Sequence, residues 1–546
     1  MTTFNKNVFV VMGLGLLISM VGNVSAAQPY PFLSSVEVSA SRLGVEVKYE
    51  FSEAAFSQTV TDAGDQHKEQ IEISFCARVG NQCKNLTFKQ GIVSASFAFS
   101  TVIATVWPNQ HEIDSVYPTL SKIDDRLSLL YAPAVLPETY KGPIKIRHPR
   151  PIKADSLVHQ EALGYVLIGE RRDPLERLTL RFADNMPSLV KESIRDRVNQ
   201  LHQFYEERLG SHWHPQTTVV VTYLDVNDPI VPSNRADVTQ NGVVFLRFQK
   251  LETTDFSVVE ESVAQLIGHE LLHLWQRFDT SEPEQSYLHE GQAEYASWLA
   301  MDSLWPQHGR ISARVNAALD HCIRYLGGKS LAFMYRHRAL DTRYSCGPIA
   351  QWLLDQEIRA GRFEASAEIR SIFELWRREL PLHNNSGLLR EADIAKTARP
   401  NALRTLLYEE GNARWYSLAS YLNDHGVRVT IDPPSDFMRR VSILKPLVDS
   451  SCGFTAGIGE ENGEVFVESI ASCLALGGRN VILSLDGLSP MRDLDKLEAH
   501  VADVCAREGN LIASSVKAGV SVEAKIPCLT EFSPAPPVLK VSKAFP

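Results

Sequence analysis

His269 and His273 stand four residues apart with Glu270 beside the first, and Glu290 follows within Leu288-His289-Glu290-Gly291. On a helix, residues i and i+4 leave from one face, so two imidazoles can meet one ion. A carboxylate from a later element completes the three-ligand set of a hydrolytic zinc site and leaves one position for water. His269, His273 and Glu290 are therefore read as ligands of one Zn2+ per chain. Glu270 would lie beside the bound water, take its proton as a carbonyl carbon is attacked, and pass it to the leaving amine. Glu294, one helical turn beyond Glu290, is placed to hydrogen-bond a ligand histidine and hold its tautomer. His289 points about 100° away from Glu290 on a helix and is read as structural or substrate-side.

Positioning these groups requires two adjacent helices. Val259, Val263, Leu266, Ile267, Leu271 and Leu274 recur at helical spacing, which predicts a long, buried helix carrying both histidines. Asp279-Thr280-Ser281 and Pro283 end it and start a second helix, about Glu284 to Leu304, with Glu290 and Glu294 on it. Upstream, Gly164 to Gly169, Leu178 to Phe182, Thr217 to Tyr223 and Gly242 to Phe248 read as strands, and Ser188 to Leu209 as an amphipathic helix. A strand-rich half followed by a helical half is an α+β arrangement. From Ser34 to Arg147 short alternating runs predict a β-rich domain, closed by the linker His148-Pro149-Arg150-Pro151. From about Phe437 the pattern changes to short strands at 463–467, 481–485 and 520–526 with one helix at 493–506, a separate small domain.

A chain of 546 residues is too long for one core, and two to four domains are expected. The net charge of −10 and the lack of a basic stripe exclude a nucleic-acid partner. Lys6, the apolar run Val8 to Val21 and Val24-Ser25-Ala26 form the tripartite pattern of a signal peptide over 1–26, so the protein is expected to be exported, periplasmic or secreted. No later run spans a bilayer. The eight cysteines all follow this leader, and disulfides are their natural state. Their distribution suggests Cys76 with Cys83, Cys322 with Cys346, and two bridges among Cys452, Cys473, Cys505 and Cys528.

His269-Glu270-x-x-His273-x-Trp275 followed by Leu288-x-Glu290-Gly291 resembles the gluzincin metallopeptidases, and the chain is most similar to the glycyl aminopeptidase family. The resemblance implies a multidomain α+β protein: an N-terminal β domain at 27–147, a thermolysin-like zinc peptidase domain at 152–436 and a C-terminal PDZ-like domain at 437–546. It implies an oxyanion-stabilising tyrosine, carried onto Tyr344 in Tyr344-Ser345-Cys346-Gly347, with His337 in reserve. It also implies peptide or protein substrates, and a chain terminus as ligand of the PDZ-like domain through Gly453-Phe454-Thr455 and Leu485-Asp486-Gly487. One departure stands out. The family's amine-capturing glutamate has no counterpart in Thr239-Gln240-Asn241-Gly242-Val243-Val244-Phe245, which leaves the choice between exo- and endopeptidase open. The expected function is an exported zinc metallopeptidase; the alternative is a catalytically inactive binding protein of the same fold.

Overall fold

The computed structural model describes residues 33–40, 45–60, 73–79, 82–89, 92–106, 120–123, 127–136, 143–147, 158–161, 165–169, 177–214, 216–224, 235–239, 242–249, 256–276, 286–308, 311–326, 328–336, 343–361, 369–379, 402–452, 457–469, 478–507, 509–517, 519–528, 532 and 535–543. The leader, the linker at His148, the break at Asp279 to Pro283, His337, Gly453-Phe454-Thr455 and Cys473 lie outside these residues. The described residues within 1–110 and 131–162 form one compact unit, and those within 111–130 and 163–546 form another.

The first strands among the described residues are β1 (Leu33–Ala40), β2 (Val45–Thr59), β3 (Ile73–Val79), β4 (Gln82–Asn85), β5 (Thr87–Lys89), β6 (Ile92–Val106), β7 (Leu120–Lys122), β8 (Leu127–Tyr131), β9 (Pro143–Arg147) and β10 (Val158–Glu161). All but β7 and β8 join one sheet of order β10-β9-β1-β2-β6-β3-β4, with β5 on β6. Its cause is strict alternation: Val36, Val38, Val45, Val47 and Tyr49 are buried, while the intervening Glu46 is exposed. A disulfide joins Cys76 to Cys83 across the β3–β4 hairpin.

The second unit contains β11 (Tyr165–Gly169), which pairs with β8, and β12 (Leu178–Phe182), α1 (Ser188–Leu209), β13 (Thr217–Leu224), β14 (Arg235–Val238) and β15 (Val243–Gln249). The sheet order is β12-β13-β15-β14; the first three run parallel, and β14 lies antiparallel at the edge. Val190, Ile194, Val198, Leu201 and Tyr205 put the apolar stripe of α1 into the core. Gly242, with φ of +78°, makes the turn from β14 into β15, and a Cβ there would come within 2.9 Å of the Gln216 carbonyl oxygen.

Helices then dominate: α2 (Phe256–Leu272), α3 (Ser286–Leu304), α4 (Ile311–Leu326), α5 (Leu331–Arg336), α6 (Cys346–Arg359), α7 (Ile372–Glu379), α8 (Ala402–Tyr408) and α9 (Ala413–Asp424). α3 packs between α2 and α6. Tyr295 on α3 donates to the buried Asp355 of α6 at 2.8 Å, and Cys322–Cys346 ties α4 to the start of α6.

After β16 (Arg428–Asp432) come α10 (Asp436–Cys452), β17 (Gly457–Glu461), β18 (Glu464–Ser469), β19 (Gly478–Leu485), α11 (Leu494–Ala506), β20 (Asn510–Lys517), β21 (Val520–Pro527) and β22 (Val538–Lys543). β17 to β21 form one antiparallel meander in chain order. With α10 and α11 they enclose their own core, including Leu447, Val467, Leu485, Leu497 and Val501, and Cys505–Cys528 closes it. β22 leaves this core and pairs with β16, where the Asn316 side chain of α4 bonds both backbone groups of Val541, at 3.0 and 2.6 Å.

Candidate metal centre

α2 turns Val263, Ala264, Ile267 and Leu271 into the core, which leaves His269 and Glu270 on the face toward α3 and β14. The α-helix ends at Leu272, so His273 sits in the following turn rather than inside the helix. There the bonds tighten to three-residue steps: His273 N to Glu270 O at 3.2 Å, Leu274 N to Leu271 O at 3.1 Å and Trp275 N to Leu272 O at 2.9 Å. The Trp275 indole anchors this turn by donating to the Gly210 carbonyl at 2.6 Å.

His269, His273 and Glu290 each place a ligand atom within 4.8 Å of the others, the one such group of His, Cys, Asp or Glu among the described residues. Glu290 Oε2 lies 3.1 Å from His269 Nε2 and 3.7 Å from His273 Nε2. Ligand atoms on a tetrahedral zinc stand about 3.4 Å apart, given bonds of about 2.1 Å. The remaining ring nitrogens are committed to acceptors: His269 Nδ1 to Glu294 Oε2 at 2.9 Å and His273 Nδ1 to Gln276 Oε1 at 2.5 Å. With the protons on Nδ1, both Nε2 lone pairs face Glu290, so the donor set fits a zinc ion.

Gln276 has no sequence signal of the kind that marks Glu294. It is fully buried, and its amide also donates to the His289 carbonyl at 3.0 Å and to Gln292 Oε1 at 2.6 Å. It therefore locks His273 to α3. Gly291 explains why Glu290 can come so close. A Cβ there would lie 2.2 Å from the carbonyl carbon of Gly347, so only glycine lets α3 meet the start of α6 at this level. His289 stacks on His273 with ring centroids 4.5 Å apart. Tyr344, about half exposed, lies with its ring centroid 5.9 Å from that of His269, and Arg343 sits 4.8 Å from its ring centre.

The electrostatics follow burial and crowding. Burial, followed by the nearby carboxylates of Asp237, Glu290 and Glu294, pushes Glu270 up to about 8, although His269 opposes the shift. Burial alone would raise Glu290, but the His269 hydrogen bond and the His269 charge hold it well below the carboxylate range. Burial disfavours the His269 cation, yet Glu290 and Glu294 outweigh that cost and hold its proton well above the usual range. Burial, then His289, keeps His273 neutral. His269, His273 and Glu290 would release the proton shared by His269 and Glu290 on holding a dication.

Residues 239–245 carry no acidic side chain, and Asp237 on the edge strand β14 lies just before them. It is half-buried, accepts the Val238 backbone N–H at 2.9 Å, and is pushed up to about 7 by burial and by Glu290.

No protein-family profile matches the chain, and no curated protein does. Solved structures do. The fold is like that of an aminopeptidase N family protein from Idiomarina loihiensis, over 93% of this chain and 98% of that one, at 12% identity and a TM-score of 0.51. An M1 zinc metallopeptidase from Deinococcus radiodurans covers 72% of this chain and 94% of its own at 12% identity, with a TM-score of 0.34. Leukotriene A4 hydrolase from Saccharomyces cerevisiae covers 70% and 68% at 12% identity, with a TM-score of 0.37. The chain is a mixed α+β protein whose fold is like that of the aminopeptidase N family protein. No helix among the described residues is long and apolar enough to cross a membrane.

Proposed function

We propose that the protein is an exported zinc metallopeptidase that hydrolyses peptide bonds, with His269, His273 and Glu290 holding the ion. The observation that carries this reading is the pair of imidazoles whose Nδ1 atoms are both committed to acceptors and whose Nε2 atoms both face Glu290. When bound, zinc supplies polarisation of a scissile carbonyl and lowers the pKa of water. Glu270, adjacent to the donors and buried, takes the proton from the attacking water and hands it to the leaving amine; burial keeps its basicity high enough to accept that proton. Tyr344 donates its phenol O–H to the carbonyl oxygen as negative charge develops there, and its exposure leaves it reachable by substrate. Glu294 and Gln276 hold the two histidines.

Asp237 extends the reading toward an aminopeptidase. A carboxylate on the edge strand, close enough to raise Glu270, can pair with the free amine of a substrate laid along β14. The 1–26 segment is the export signal, 27–147 a β domain, 152–436 the catalytic domain, and 437–546 a PDZ-like module that takes up a chain terminus. The five-stranded meander with its own core and disulfide supports an independent small module there.

The test is cleavage of a peptide library with free and blocked amino termini by the mature protein, before and after chelation and zinc reloading. Zinc-dependent cleavage supports the peptidase. A preference for free termini that is lost in Asp237→Asn supports amine recognition, and equal cleavage of blocked peptides makes the enzyme an endopeptidase. A protein inert to the whole library after reloading is a binding protein of peptidase fold.

A further inference from the structure

A second line of side chains runs outward from the three donor atoms. Both oxygens of Glu294 are occupied: Oε2 takes His269 Nδ1–H at 2.9 Å, while Oε1 takes Trp298 Nε1–H at 3.0 Å together with an amide N–H of Gln265. Gln265 lies on α2, one turn before His269. Its carbonyl oxygen in turn accepts from Arg314 of α4, whose guanidinium also pairs with Glu261. Arg314 and Glu294 are largely buried, whereas Glu261 reaches the surface.

An amide has two ends, and only one suits Glu294. Its NH2 stabilises the carboxylate, whereas its oxygen would face two other oxygens and repel them. A guanidinium carries donors only, so on the far side of Gln265 it can meet nothing but the oxygen. The amide orientation is thereby fixed, and with it the geometry of the carboxylate that accepts from His269. Trp298 alone cannot do this, because it binds one oxygen of Glu294 and leaves the other end of the network undefined.

We propose that Arg314 is a positioning residue of the metal centre, acting through Gln265 and Glu294 to hold His269 with Nε2 directed at the ion. The inference rests on the zinc reading above. It predicts that a side chain on α4, outside the motif, sets metal affinity.

The test is the zinc Kd of the full chain, from competition with a chromophoric chelator at fixed pH, with the visible spectrum of the Co2+ form as a second readout. Arg314→Met keeps the aliphatic stem and should weaken zinc about tenfold and alter the Co2+ spectrum, the scale usual for partners of ligand histidines. Arg314→Lys, still a pure donor, should stay within about threefold of the parent. Gln265→Leu leaves the Arg314–Glu261 pair intact and should weaken zinc to the same extent as Arg314→Met. The double variant should add no further loss, since both act through one connection. Should Arg314→Met fail to fold, Arg314→Ala, read in the same assay, takes its place. A parent that binds zinc beside single variants of unchanged Kd and spectrum overturns this inference and leaves the zinc reading standing. A parent that binds no zinc overturns both.

Discussion

Gly291→Ala is the substitution with the most direct structural consequence. Its Cβ would meet the Gly347 carbonyl carbon at 2.2 Å, the Gly347 Cα at 2.5 Å and the Gly347 oxygen at 2.6 Å. Ordinary contact requires about 3.4 Å or more, so α3 and α6 must separate by about an ångström, and the obstacle is backbone that no rotamer change relieves. Overpacking of this kind costs about 3 kcal/mol, equivalent to a fall of about 6–12 °C in Tm for a domain of this size. Glu290 precedes Gly291 and moves with it, so zinc affinity should fall by about tenfold or more. Gly268→Ala is the matched control in the neighbouring helix. Its Cβ would approach the side chains of Ser297, Leu201 and Tyr205 at 3.2 to 3.4 Å, which can give by a few tenths of an ångström. The helix propensity gained, about 1 kcal/mol, offsets that strain. The assay is thermal melting with chelator present, followed by zinc titration of both variants. Parent-like Tm and zinc affinity in Gly291→Ala would refute the argument that this glycine sets the approach of Glu290.

Two further outcomes follow from the site and its surroundings. Tyr344→Phe should lower kcat by about 10²-fold with little change in KM, because the phenol acts on charge that appears only in the transition state; steady-state kinetics with zinc content checked in parallel decide it, and an unchanged kcat removes Tyr344 from the mechanism. His202, His212 and His214 are buried beside or near Trp275, and burial, followed by neighbouring His and Arg charges, pulls each down to about 4. Their folded pKa lies below the unfolded value of about 6.5, so the unfolded chain takes up protons first. Stability is complete above about pH 6.5 and is lost as pH falls toward 4. Unfolding free energies from urea titrations should fall between pH 7 and pH 5 by about 4 kcal/mol more in the parent than in a His202→Gln, His212→Asn double variant, about 2 kcal/mol for each imidazole; equal pH dependence would show that these imidazoles are not held neutral.

Much of the centre is legible in the sequence because its parts are local. Spacing alone suggests that His269 and Glu270 share a helix, and that Glu290 and Glu294 lie one turn apart. The amphipathic stripe of α1 gives that helix its bounds, and alternation gives β1 and β2. What was not legible depends on contacts far apart in the chain. The need for glycine at 291 comes from Gly347, and no pattern around Gly291 reveals it. Gln276 is an uncharged residue in a turn, and only the folded geometry brings its oxygen to His273. β14 escaped because it has four residues, two of them charged, and owes its place to pairing with β15 rather than to any periodicity of its own. His273 was expected within the helix, but the chain tightens one residue earlier.

The central claim is that one ion, held by two imidazoles and a carboxylate, works with Glu270 to cleave peptides. The measurement that meets it most directly is zinc content and peptide turnover of the mature parent beside Glu270→Gln, purified and assayed together. Both proteins should hold about one zinc per chain, as a three-ligand hydrolytic site binds, and the parent alone should turn over peptide. A parent without zinc, or a Glu270→Gln variant as active as the parent, would contradict it.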